Sequence, residues 1–242
     1  MNDLVNVAYL ATAVTFMLAL KLMNGPKTAR NGNLLAAAGM GVALLATFFM
    51  PGIKNLEWIA LAFVVGGVLG TWSARKVQMT AMPQMVALFN GLGGGAVALV
   101  ALLEYRHFSS EGVTDAVKVS TSVLSLVIGA ISFSGSLIAY AKLQELMTGR
   151  PITYPGQKAI NFLLLLGAAG LIVSLIAWTH AMPLFYVLFL LALLLGVTLV
   201  LPIGGADMPV VISLLNSFTG CAAGLAGFVL GNTCLLYTSR CV

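Results

Sequence analysis

Charge is nearly missing from this chain: Asp, Glu, Lys and Arg make up 8% of its 242 residues, where a soluble domain carries about 25%. So few charges cannot hydrate a whole surface, which excludes a soluble globular enzyme and leaves lipid as the main solvent. There are two histidines, His107 and His180; both fall at helix ends or in outer loops and read as interfacial groups before ligands. The three cysteines, Cys221, Cys234 and Cys241, have no metal-site spacing and form no disulfide framework. No Gly-x-x-x-x-Gly-Lys-Ser/Thr string occurs, and the glycines of Gly91-Leu92-Gly93-Gly94-Gly95 lie inside an apolar run with no strand before it, so no nucleotide-binding fingerprint is met. Residues 1–20 lack a basic start and a small-residue cleavage site, and read as a first spanning helix instead of a cleaved signal. The chain is therefore expected to hold no metal and no cofactor, and to carry no catalytic residue of its own. Its basic excess lies in short loops, where it reports topology, so no nucleic-acid partner is expected.

What is present is long apolar sequence, with a mean hydropathy of +1.03. A spanning helix needs about 20 mostly apolar residues. Eight segments qualify, at roughly 4–23, 33–50, 56–74, 84–103, 120–142, 159–179, 183–200 and 209–231. The fold class expected is an all-α polytopic membrane protein, a bundle of about eight transmembrane helices over residues 1–232. Asn24-Gly25-Pro26, Pro51-Gly52, Arg75-Lys76, Arg150-Pro151, Met182-Pro183 and Gly204-Gly205 separate the segments, and residues 104–119 are expected to be the longest loop. With the N-terminus outside, the inner loops hold eight basic residues (Lys21, Lys27, Arg30, Arg75, Lys76, Lys142, Arg150 and Lys158) and the outer loops three (Lys54, Arg106 and Lys118), a bias that favours that orientation. Trp58, Trp72 and Trp178 near segment ends fit an aromatic belt. Residues 233–242 do not extend the pattern and are expected to be a non-native tail.

Two segments show seams. Ser122, Ser125, Gly129, Ser132 and Ser136 recur every three or four residues in the fifth, and Asn90, Gly91, Gly93, Gly94 and Gly95 cluster in the fourth. Small residues let helices approach closely in lipid, so packing is the simplest reading of both. The Gly93–Gly95 run suggests a tight crossing or a local distortion. The most informative stretch is Gly204-Gly205-Ala206-Asp207-Met208-Pro209, which leads into a helix carrying Ser213, Asn216, Ser217 and Gly220 on one stripe. Polar groups at membrane depth point to function. A buried amide donates and accepts at once, so Asn90 and Asn216 suit a hydrogen-bonded path as well as they suit interhelical glue. Asp207 fits a charge at a helix N-terminus.

At these residues the chain resembles the membrane domain of the beta subunit of proton-translocating NAD(P) transhydrogenase. The resemblance is carried by Gly204–Gly220, by Met79-Thr80-Ala81-Met82-Pro83-Gln84-Met85-Val86-Ala87 with Leu88-Phe89-Asn90-Gly91, and by Phe133-Ser134-Gly135-Ser136-Leu137-Ile138-Ala139-Tyr140-Ala141-Lys142-Leu143. It covers residues 1 to about 232. It implies an enzyme that couples hydride transfer between NAD(H) and NADP(H) to proton movement across a bacterial inner membrane. It also implies partners: the membrane helices and NAD-binding domain of an alpha subunit, an NADP-binding domain following a ninth helix absent here, and a second copy in a dimer of the complete enzyme. Neither cofactor, NAD(H) or NADP(H), would be bound by this fragment, which alone should transfer no hydride.

By motif, Asn216 matches an asparagine of the family's proton path, and Asp207 an aspartate near the face that meets the NADP domain. Some members have histidine where this chain has Asn90. Asn90 cannot titrate, whereas histidine can, so the resemblance implies that the partner chain supplies the titrating group. The expected path passes Asn90, Ser132, Ser136 and Asn216 between the fourth, fifth and eighth helices, and Gly204, Gly205 and Asp207 pass its state to the NADP domain. Two other classes compete: a free-standing secondary transporter, whose helix break would lie at Gly93–Gly95, and a structural membrane anchor.

Overall fold

The structure, a computed structural model, describes residues 2–49, 53, 55–111, 115–177 and 181–231. Among these residues it contains helices and no strand. The helices are α1 (Asn2–Met23), α2 (Ala29–Phe48), α3 (Leu56–Lys76), α4 (Met82–Glu111), α5 (Ala116–Leu143), α6 (Gln157–Ala177), α7 (Met182–Val200) and α8 (Met208–Val229), with single 3₁₀ turns at Met79–Ala81 and Gly205–Asp207. Eight spans among the described residues are long and apolar enough to cross a membrane, and the chain is a multi-pass membrane protein. The expected non-native tail lies outside the described residues.

The helix starts have local causes. Asp115 caps α5, its Oδ1 accepting from the Val117 amide at 3.0 Å. Pro183 and Pro209 occupy the first turns of α7 and α8, where the missing amide hydrogen costs no helical bond. The expected long loop at 104–119 is corrected: α4 continues to Glu111 and α5 begins at Ala116. Charged residues make 104–111 look like a loop, but Tyr105 and Phe108 are buried on one face of the continuing helix, and the Tyr105 ring stacks on Phe185 of α7 at 3.8 Å. At 30 residues, α4 is about 45 Å long, well beyond the roughly 30 Å of a bilayer's hydrocarbon, so its charged end clears the apolar layer. Arg106 and Lys118, expected in loops, are helical for the same reason.

The chain divides into two compact units between Gln78 and Met79. In the first, α1 and α2 pair closely. A Cβ placed on Gly39 would collide with Thr15 Oγ1, Thr12 Oγ1 donates to the Gly39 carbonyl at 3.3 Å, and Tyr9 and Thr47 share a hydroxyl–hydroxyl bond at 2.9 Å. No residue of α3 is buried. The second unit is built round α5, which packs against α4, α6, α7 and α8. Within it 67% of the α5 span is buried, against 11% of α6, which sets centre against rim.

The expected seam of α5 is its buried face: Ser122, Ser125, Gly129, Ser132 and Ser136 all lie inside. At the α4–α5 crossing the backbones touch. A Cβ on Gly94 would stand 3.0 Å from the Gly129 carbonyl oxygen, and one on Gly129 would stand 2.8 Å from that of Gly94. Of the two readings of the glycine run, the tight crossing holds; α4 is unbroken through Gly91–Gly95.

Candidate functional site

The glycine run does more than close the crossing. Gly91 lies against Ser136, where a Cβ would come within 3.3 Å of the serine Cβ, and Gly93 faces Thr219 of α8. Without side chains there, α4 approaches α5 and α8 together, and Asn90 is brought into the gap. Its Nδ2 donates to Ser136 Oγ at 2.8 Å and to Ser132 Oγ at 3.3 Å. Ser132 continues to α8: its Oγ lies 2.8 Å from the Leu215 carbonyl oxygen and 2.5 Å from Thr219 Oγ1. Thr219 Oγ1 is also 3.1 Å from that carbonyl. Asn90 is 6% exposed and both serines 0%, so a polar row joins three helices in an apolar interior.

None of these groups titrates near neutral pH. Hydroxyls, however, both donate and accept. The row can run from the Asn90 amide through Ser132 and Thr219 to the Leu215 carbonyl. It can also run backwards, from Thr219 through Ser132 to Asn90 Oδ1, once the amide turns over. In the orientation present, Asn90 Oδ1 is buried with no hydrogen-bond partner among the described residues. An unsatisfied buried polar atom costs about 1–3 kcal/mol, so the site holds acceptor capacity in reserve.

The second stripe faces another way. Ser213 and Ser217 are exposed, Asn216 is half-buried, and only Gly220 is buried. Ser217 donates to its own helix, at the Ser213 carbonyl, 3.1 Å away. Pro209, Val210, Ser213, Leu214 and Ser217 line an open groove of about 560 Å³. Of the four residues expected in one path, the structure brings together Asn90, Ser132 and Ser136; Asn216 makes no side-chain hydrogen bond to a described residue. Thr219, one turn from Asn216, is the α8 member of the row, and the sequence reading passed over it. Its signal was available in the Asn-Ser-Phe-Thr-Gly string, as a polar residue one position off the stripe.

The turn between α7 and α8 is tied to the loop after α5. The Gly205 amide donates to the Gly149 carbonyl at 2.8 Å, and the Ile152 amide to that of Leu201 at 3.2 Å. Asp207 stands at the α8 N-cap position without capping through its side chain, and it is exposed. Gly204 accepts from the Asp207 amide at 3.1 Å. The 3₁₀ turn is thus held at the backbone and leaves its carboxylate facing outwards. Among the described residues no cluster of His, Cys, Asp and Glu could hold a metal ion.

A family model described as NAD(P) transhydrogenase beta subunit matches residues 5–242. Two curated relatives from Rhodospirillum rubrum, each named NAD(P) transhydrogenase subunit beta, are 44% identical over 246 residues, covering 100% of this chain and 53% of theirs. The chain therefore spans about half the length of the curated relatives it matches.

Proposed function

The chain belongs to the NAD(P) transhydrogenase beta-subunit family, and on that premise we propose that it is the proton-translocating membrane part of the enzyme. It couples proton movement across a bacterial inner membrane, with the N-terminus outside, to hydride transfer between NAD(H) and NADP(H). The observation that carries this reading is the buried Asn90–Ser132–Thr219 row. Such a row also holds helices together; what suits it to a proton-coupled change is that its hydroxyls can donate in either direction, and polar groups at that depth point to function.

The chain's share of the work follows from its own groups. Asn90, Ser132, Ser136 and Thr219 conduct no charge by titration. They respond to a proton nearby by reversing the direction in which the row donates. The titrating group comes from the alpha subunit's membrane helices, and Asn216 on the open face of α8 meets that partner. The change reaches the turn at Gly204, Gly205 and Asp207, and through it the NADP domain, altering nucleotide affinity. Such coupling is reciprocal, so nucleotide state shifts proton affinity by the same factor. The fragment alone binds neither nucleotide, and the complete enzyme assembles with the alpha subunit, the NADP domain and a second copy.

The test is reconstitution of the complete enzyme in liposomes, with internal pH and hydride transfer recorded together. Proton movement that starts and stops with hydride transfer supports the proposal. Solute uptake by the isolated chain would favour a transporter, although unbroken α4 removes the helix break that reading relied on. Absence of proton movement during full hydride transfer would leave only an anchor.

A further inference from the structure

Lys142 ends α5 and is buried, although it was expected as a loop charge that merely marks the inner side. Its Nζ donates to the carbonyls of Leu201, of Ile203 at 2.7 Å and of Arg150 at 3.5 Å. An ammonium has three donors and no acceptor; the carbonyls of Leu201 and Ile203 take two of them at short range, and that of Arg150 lies at the limit of a hydrogen bond. No carboxylate pairs with it among the described residues. Leu201 closes α7, and a cation at a helix C-terminus is favoured by the dipole. The buried charge therefore has a specific structural counterpart: the end of α7 and the start of the turn that contains Gly204, Gly205 and Asp207.

The same helix links that turn to the polar row. Lys142 lies about 9 Å along α5 from Ser136, which accepts from Asn90. The loop after α5 is also bound to the turn, through Gly205 to Gly149 and Ile152 to Leu201. Three ties thus converge on one short stretch of backbone, and one of them is a buried charge rooted in the central helix.

We infer that Lys142 is a positioning residue for coupling: a strut through which a shift of α5 at the Asn90 row displaces the Leu201–Asp207 turn. This rests on the proposed proton-translocating role. The strut transmits because its stem leaves the last turn of α5 covalently and its ammonium is held at the far end by the backbone oxygens of Leu201 and Ile203, with that of Arg150 further off. A neutral side chain of similar size would fill the space and leave the carbonyls without a donor.

The experiment uses the complete enzyme in liposomes carrying Lys142→Met, with Lys142→Arg as the charge-retaining comparison. Protons moved per hydride transferred and backbone amide exchange over residues 149–153 and 201–207 are both measured. Lys142→Met is expected to lower the proton-to-hydride ratio at least fivefold and to speed exchange in those segments at least tenfold, with Lys142→Arg recovering at least half of the ratio. A wild-type ratio in Lys142→Met overturns the inference whatever the exchange does, and so does a lowered ratio with exchange unchanged. If Lys142→Met does not assemble, Lys142→Gln serves instead: its side chain is uncharged and one bond shorter, so it cannot reproduce the contacts to Leu201, Ile203 and Arg150. A wild-type ratio there likewise overturns the inference. Should the unsubstituted enzyme transfer hydride without moving protons, the proposed function fails, and the exchange measurement still judges the strut by itself.

Discussion

Two helices carry small and polar residues at intervals of three and four, and the fold turns them in different directions. On α5, Ser122, Ser125, Gly129, Ser132 and Ser136 all point into the bundle. On α8, Ser213 and Ser217 point out and Asn216 stands between. The α5 stripe is bonded to its neighbours: Ser125 donates to the Ala222 carbonyl at 2.9 Å, and Ser132 reaches Thr219 and Leu215. Among the described residues, the α8 stripe bonds only to itself, Ser217 to the Ser213 carbonyl. Equal spacing therefore carries unequal meaning. A stripe with glycine at its centre lets a partner helix of the same chain come close enough to satisfy its hydroxyls. A stripe flanked by Val210 and Leu214 keeps other backbones away and presents its polar groups to whatever meets the outer face.

Substitutions can break or sharpen this contrast. The largest effect is expected at Gly129→Leu, whose added carbon meets the Gly94 carbonyl oxygen at 2.8 Å and the Ala98 amide at 3.1 Å. Backbone cannot yield there as a side chain can, so a loss of more than about 3 kcal/mol is expected, read as absence of a cooperative thermal transition in detergent. Next comes the row itself. Ser132→Ala and Thr219→Val should each cost about 1 kcal/mol, and a double-mutant cycle between them should return a coupling of roughly 0.6 kcal/mol. Strict additivity would mean that the two hydroxyls act separately.

Asn216→Leu should change the stability of the chain by less than about 0.5 kcal/mol, because no described residue bonds to its amide, while lowering coupled proton movement in the complete enzyme. A stability loss as large as that of Ser132→Ala would place the amide inside the row after all. The smallest effect is expected at Ser217→Leu: within about 0.5 kcal/mol in detergent, and visible only as weaker assembly with the alpha subunit.

Much of this was legible in the residues. The number and order of spans followed from apolar length and from Pro183 and Pro209, and the buried face of α5 followed from its small residues. The extents of α4 and α5 did not, because Glu104, Arg106 and Glu111 look like a loop until Tyr105 and Phe108 are seen to share a buried face. Thr219 was missed for a deeper reason. In lipid the outside of a helix is as apolar as its inside, so hydrophobic pattern cannot say which face is buried. Polar residues are the remaining signal, and those of α8 point two ways: the buried face runs through Ile212, Leu215, Thr219 and Ala222, beside the stripe and not along it. Lys142 read as a topology marker because a lysine at a span's end usually is one; only its three carbonyl partners reveal otherwise.

The central claim is that the proton step is coupled through the response of the inward row at Asn90. It is tested most directly by Asn90→Leu in the complete enzyme in liposomes, with proton movement and hydride transfer recorded on the same sample. The account predicts that proton movement per hydride falls at least tenfold while hydride transfer between the soluble domains persists. An unchanged ratio in the assembled variant would contradict it.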